Sequence, residues 1–149
     1  QFLIMNKKIL ITGANGFIAK NIKEILSEKY SFFSISRNTK YNILDLNSFL
    51  NIDGIDTIIH CAAKTFIPDS FQNQYEFYRF NFLSTLNIAE FCAKKKVNKI
   101  IFLNAYPYGP PIKLPINEDH ALQPHSPYNS SKLISEELLF KYLFEKNQK

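Results

Sequence analysis

The junction at residues 7–19, KKILIT running into GANGFIA, constrains this chain more than any other stretch. Residues 7–12 are a short run rich in β-branched side chains, which reads as a strand. From about Phe17 to Lys29 the apolar positions take up helical spacing. Between the two lies Thr12-Gly13-Ala14-Asn15-Gly16-Phe17-Ile18-Ala19. Glycines allow a tight turn and a close approach of backbone to a ligand, and the N–H groups that open a helix attract anions. Gly13, Asn15, Gly16, Phe17 and Ile18 are therefore the candidate cradle for a pyrophosphate, and the small Ala19 lets helix and strand pack closely. Two glycines alone would be a weak signal, equally open to a plain turn. Their place at a strand-to-helix junction near the start of the chain gives them weight.

The alternation continues downstream. Residues 31–36 (SFFSIS) read as a second strand, 41–44 as a shorter third, 56–60 (DTIIH) as a fourth and 99–103 (KIIFL) as a fifth. Residues 75–95 read as a long helix, with Phe77, Phe80, Leu83, Leu86, Ile88 and Phe91 near helical spacing. From 104 to 126 the pattern breaks into a loop holding Pro107, Pro110, Pro111, Pro115 and Pro124, and loops of this length are often functional. A final helix is expected from Pro127, a residue suited to a first turn. Repeated strand–helix units with right-handed crossovers predict an α/β fold, a doubly wound parallel sheet of the Rossmann type. The 149 residues suffice for one such domain, expected over residues 5–149. Met5 reads as the native start, with residues 1–4 as upstream or cloning-derived sequence.

Composition narrows the function. With 46% hydrophobic and 21% charged residues the chain is ordinary globular protein, and no apolar run approaches the ~20 residues that span a bilayer. The net charge of +5 is lysine-borne, since Arg37 and Arg79 are the only arginines. Lys94-Lys95-Lys96 with Lys99 closes a helical pattern, where cations suit the helix dipole, and no aromatic residues interleave with them. Neither a membrane nor nucleic acid is expected as a partner. Cys61 and Cys92 lack metal-ligand or disulfide spacing and read as free thiols in a reducing cytoplasm, with no metal.

Tyr128 and Lys132 stand four apart on the last helix and so share one face. An ammonium beside a phenol favours the phenolate, which would bring Tyr128 towards the range of a general base. Exposed side chains on a solvated helix are the bland reading of the pair taken alone.

Five stretches now stand in order: TGANGFIA, Asp45-Leu46, His60-Cys61-Ala62-Ala63, the NFLSTLNIAEF segment with Asn81 and Thr85, and Tyr128-Asn129-Ser130-Ser131-Lys132. Together they resemble the extended short-chain dehydrogenase/reductase family, the NAD-dependent epimerase/dehydratase group, over nearly the whole chain. The resemblance implies an NAD(P)-dependent epimerase, dehydratase or reductase acting on a nucleotide sugar. It implies that Asp45 and Leu46 lie at the adenine, that the backbone of Cys61, Ala62 and Ala63 runs beside the cofactor, and that Asn81 is structural. It also implies that Tyr128 exchanges a proton with a sugar hydroxyl while Lys132 contacts the nicotinamide ribose. Relatives often dimerise through helices equivalent to 75–95 and 127–146, so a homodimer is an expectation.

Two departures follow. Asn104 stands where the family has Ser or Thr, four residues before Tyr108-Gly109, and an amide cannot share a proton as a hydroxyl does. The chain also stops soon after the Tyr–Lys helix, so a C-terminal substrate-binding region is expected to be lacking. Both leave open a second reading, a non-catalytic dinucleotide-binding module. The end of the second strand, Ser34-Ile35-Ser36-Arg37-Asn38, has no carboxylate for ribose hydroxyls but has a guanidinium suited to a phosphate. This favours NADP slightly over NAD.

Overall fold

A computed structural model describes residues 7–105 and 108–145, so Met5 and the residues before it lie outside the described residues. Strand β1 (Lys8–Thr12) lies between β2 (Ser31–Ile35) and β3 (Thr57–His60), and β4 (Lys99–Phe102) lies beyond β3. All three pairings are parallel, in the order β2-β1-β3-β4. The strands are almost continuously apolar, and β1 and β3 are covered on both faces. On one face Ile9, Ile11 and Ile59 pack with Ala19 and Ile22 of α1 (Phe17–Leu26). On the other, Leu10 and Ile58 pack with Ile88, Phe91 and Cys92 of α3 (Gln74–Lys95). Helices on both faces of a parallel sheet make the fold doubly wound and Rossmann-like.

The expected third strand does not form. Residues 41–44 pass through a turn in which Asn42 takes over the hydrogen bonding: its N–H donates to the Ser48 hydroxyl, its side-chain oxygen accepts from the Leu44 N–H, and its carbonyl accepts from the Asp45 N–H. Such local side-chain bonds compete with a strand ladder, and here they win. A short helix, α2 (Ile67–Gln72), precedes α3 where none was expected, with Pro68 in its first turn and Asp69 beside it. Helix α3 closes on Lys96 in the left-handed conformation (φ 52°), its N–H bonded to the Cys92 carbonyl. The final helix, α4 (Pro127–Glu145), starts where expected and packs against α3. No helix among the described residues is long and apolar enough to cross a membrane.

Candidate functional site at the carboxyl edge of the sheet

In a parallel sheet all strands end on one edge, and here the register lines up Ile35, Thr12, His60 and Phe102 across it. Strand order reverses between β1 and β3, the place where open α/β sheets form a crevice. Gly13 leaves β1 with φ +64°, and a Cβ there would lie 2.9 Å from the Ala62 nitrogen and 3.0 Å from the Cys61 carbonyl carbon. Only glycine allows this approach, which sets the turn directly against Cys61 and Ala62. The Ala14 N–H donates to the Ile35 carbonyl at 3.2 Å and ties the same turn to the end of β2, just before Arg37.

Helix α1 opens at Gly16 with no side-chain cap among the described residues, which leaves its first N–H groups for another acceptor. Asn15, Gly16, Phe17 and Ile18 are all exposed there, and Phe17 is 83% exposed although it begins a helix that packs on the sheet. An uncapped helix N-terminus behind a glycine turn is suited to a pyrophosphate. Arg37 is exposed beyond β2. Asp45 caps the 3-10 turn Leu46–Ser48, its carboxylate accepting from the Asn47 N–H at 3.1 Å, while Leu46 packs against the core. Gly13 to Ile18, Arg37 and residues 61–63 thus gather at one edge, whereas Asp45 stands on a turn rather than after a strand.

His60, fully buried, joins the two sides of the site. Thr85 Oγ1 donates to the Asn81 carbonyl at 2.7 Å and has no second hydrogen, so it accepts from His60 Nε2–H at 3.1 Å. His60 Nδ1 is then the acceptor for the Thr12 hydroxyl at 2.6 Å, and the Thr12 oxygen accepts from the Ala62 N–H at 3.1 Å. Burial, with the charge of Lys132 as the smaller cause, brings the imidazole down to about 3, so it stays neutral. Further along, Asn81 Nδ2 donates to Ser131 Oγ at 2.8 Å, and Asn81 Oδ1 accepts from the Lys64 N–H at 2.8 Å. Side-chain and backbone hydrogen bonds therefore run from the glycine turn to α4.

On α4, Tyr128 and Lys132 are both buried. The Lys132 ammonium lies 3.9 Å from the centroid of the Phe102 ring, at the carboxyl end of β4. Burial lowers Lys132 to about 8, against the opposing influence of Cys61 and Glu136. Tyr128 differs from expectation: burial pushes its phenol above the ordinary value rather than Lys132 pulling it down. Asn104 is engaged on both ends of its amide, donating from Nδ2 to the Glu136 carboxylate and accepting the Ala105 N–H on Oδ1 at 2.9 Å. Cys61 is half-buried and pushed up by desolvation, and the buried Cys92 is pushed up to about 12. No group of three or more metal-ligating side chains comes together among the described residues. The sequence reading passed over Thr12, Phe102 and Glu136 as site residues and gave His60 no role of its own. A histidine closing the otherwise apolar strand DTIIH was the one available signal.

The family model for NAD dependent epimerase/dehydratase matches residues 9–147. The dTDP-D-glucose 4,6-dehydratase of Dictyostelium discoideum is 32% identical over 91% of this chain and 40% of its own. The UDP-glucose 4-epimerase of Bifidobacterium longum, solved with NAD+ and UDP, superposes with a TM-score of 0.82 at 28% identity, covering 91% of this chain and 48% of that one. The RMD protein of Pseudomonas aeruginosa complexed with NADPH shares the fold, with a TM-score of 0.82 at 24% identity, covering 96% of this chain and 50% of that one. The chain spans about half the length of the curated relatives it matches.

Proposed function

This chain belongs to the NAD-dependent epimerase/dehydratase family, and on that basis we propose that residues 5–149 are the dinucleotide-binding part of an NAD(P)-dependent epimerase, dehydratase or reductase acting on a nucleotide sugar. One observation carries the reading: the uncapped glycine turn and the buried Tyr128–Lys132 face of α4 meet the same carboxyl edge of the sheet, with Lys132 seated on Phe102 beside Cys61. In this reading Gly13, Asn15, Gly16, Phe17 and Ile18 hold the pyrophosphate, Asp45 and Leu46 border the adenine, and Cys61, Ala62 and Ala63 line the dinucleotide. A bound nicotinamide dinucleotide supplies the hydride donor and acceptor. Lys132 binds the ribose, and the Tyr128 hydroxyl holds the proton exchanged with the sugar oxygen. Burial raises that phenol above its ordinary value, which suits Tyr128 to donate the proton in a reduction, whereas an oxidation of the sugar needs it as the phenolate acceptor. The protein works in the cytoplasm and pairs with a second copy through α3 and α4.

The engagement of Asn104 by Glu136 and Ala105 favours a second reading, a dinucleotide-binding module without turnover, because the amide is already satisfied at the position of the family's hydroxyl. Arg37, exposed beyond β2 with no carboxylate beside it, favours NADPH. Fluorescence titration of NADH and NADPH, with a panel of nucleotide sugars, tests both readings. We expect NADPH to bind the more tightly, by several-fold, and Arg37→Ala to abolish the difference. Tighter NADH binding that ignores Arg37→Ala would remove the NADPH assignment, and no binding of either would remove the function. Sugar turnover selects the enzyme over the module.

A further inference from the structure

The Lys132 side chain is buried, and among the described residues no hydrogen bond or ion pair reaches its Nζ. A ring face lies close instead: Nζ is 3.9 Å from the centroid of Phe102. A cation over a benzene ring is held by the negative potential of the ring face, and this attraction grows when water is excluded. Phe102 cannot swing away easily. It ends β4 in register with His60, whose imidazole lies 5.6 Å from it at 35°, and His60 is itself pinned between Thr12 and Thr85.

We propose that Phe102 is a positioning residue for Lys132, its ring face holding the lysine in the ammonium form and aimed at the carboxyl edge of the sheet. This rests on the function proposed above and adds to it the group that keeps the ribose-binding cation in place. The ionisable groups facing Lys132 are few. His60 and Cys61 come from the end of β3, the first kept neutral by burial and the second kept a thiol, while Glu136 and Tyr128 share its helix. Only Glu136 carries an opposite charge, and it forms no ion pair with Lys132 among the described residues. An apolar environment without the ring would leave the ammonium with little to hold it. The ring supplies the attraction without a carboxylate, which would compete for the ribose hydroxyls.

The test replaces Phe102 in the 149-residue chain by mono-, di- and trifluorophenylalanine, which drain the ring face of negative potential with little change of shape. Lys132 is titrated by NMR on chains carrying isotopically labelled lysine, its signal assigned by its loss in Lys132→Met. We expect the Lys132 titration midpoint to fall stepwise with fluorine count, by about half a unit to one and a half units over the series, and Phe102→Tyr to leave it in place. The pH above which NADPH affinity declines should fall in parallel. A midpoint that ignores fluorination, or rises with it, overturns the proposal, because the ring would then only be excluding water. If the midpoint follows fluorine while no variant binds NADPH or NADH, the seat of Lys132 stands and the dinucleotide reading fails.

Discussion

His60 shows how much a single side chain can tie together. Its two ring nitrogens have opposite roles, fixed by the single hydrogen of Thr85, and it remains neutral because a buried imidazolium would have no compensating charge. The folded-state value of about 3 lies below the ordinary 6.5, so below 6.5 the unfolded chain takes up a proton that the native chain refuses. Stability from this residue is therefore complete above 6.5 and is lost as the pH falls towards 3, by roughly 5 kcal/mol over the whole window. His60→Leu should cost about 1–3 kcal/mol at neutral pH, because it leaves the Thr12 and Thr85 hydroxyls without their partner. It should also remove a slope of ~1.4 kcal/mol per pH unit from the acid limb. Urea unfolding at a series of pH values checks this, and an acid limb equally steep in both proteins would contradict the account.

Among elements, α3 and α4 are joined by polar as well as apolar groups. Asn81 holds the Lys64 backbone at both its N–H and its carbonyl and reaches Ser131 on α4. Asn81→Ala leaves the part-buried Lys64 N–H and carbonyl without their side-chain partner, while Ser131 keeps its bond to the Tyr128 carbonyl. The substitution should cost about 1–3 kcal/mol in denaturant unfolding, with Ser131→Ala costing less. A double-mutant cycle between the two should return a coupling of roughly 0.5–3 kcal/mol, and strictly additive losses would show that the contact carries nothing. Most elements were legible in the sequence because local pattern decided them: short, nearly continuous apolar runs with β-branched residues in β1 and β3, helical spacing in α3. Residues 41–44 were misread because their apolar content suggests a strand, whereas Asn42 bends the backbone through bonds that no periodicity reports. Helix α2 has six residues, too few for a period to emerge, though Pro68 and Asp69 mark its start. Lys96 closes α3 in a conformation usually left to glycine, so that helix end was marked by its run of lysines and not by a glycine cap.

At the scale of the whole molecule the site is a product of strand order, and this explains what could be read of it. Gly13, Cys61 and Lys132 lie far apart in sequence, yet Gly13 and Cys61 follow strand ends and Lys132 reaches the end of β4 from α4, and parallel strands deliver their ends to one edge. The motif positions could thus be read in advance, while the Phe102 seat and the Asn104–Glu136 contact depend on packing between elements and could not. Packing also leaves β4 half-covered: Ile101, in register with the buried Ile59, is 39% exposed. An apolar strand face of this kind favours association beyond the pairing through α3 and α4, so sedimentation should show species larger than a dimer rising with protein concentration. Ile101→Lys should weaken it while changing stability by no more than about 0.5 kcal/mol. Association unchanged by that substitution would place the sticky surface elsewhere. The same strand order also bears on how the chain is made. β1, the first of these four strands to be synthesised, occupies the interior of the sheet, and β2, β3 and β4 are laid down outward from it in chain order. Each new strand meets an edge already built, so the sheet can grow during translation without reopening any earlier pairing.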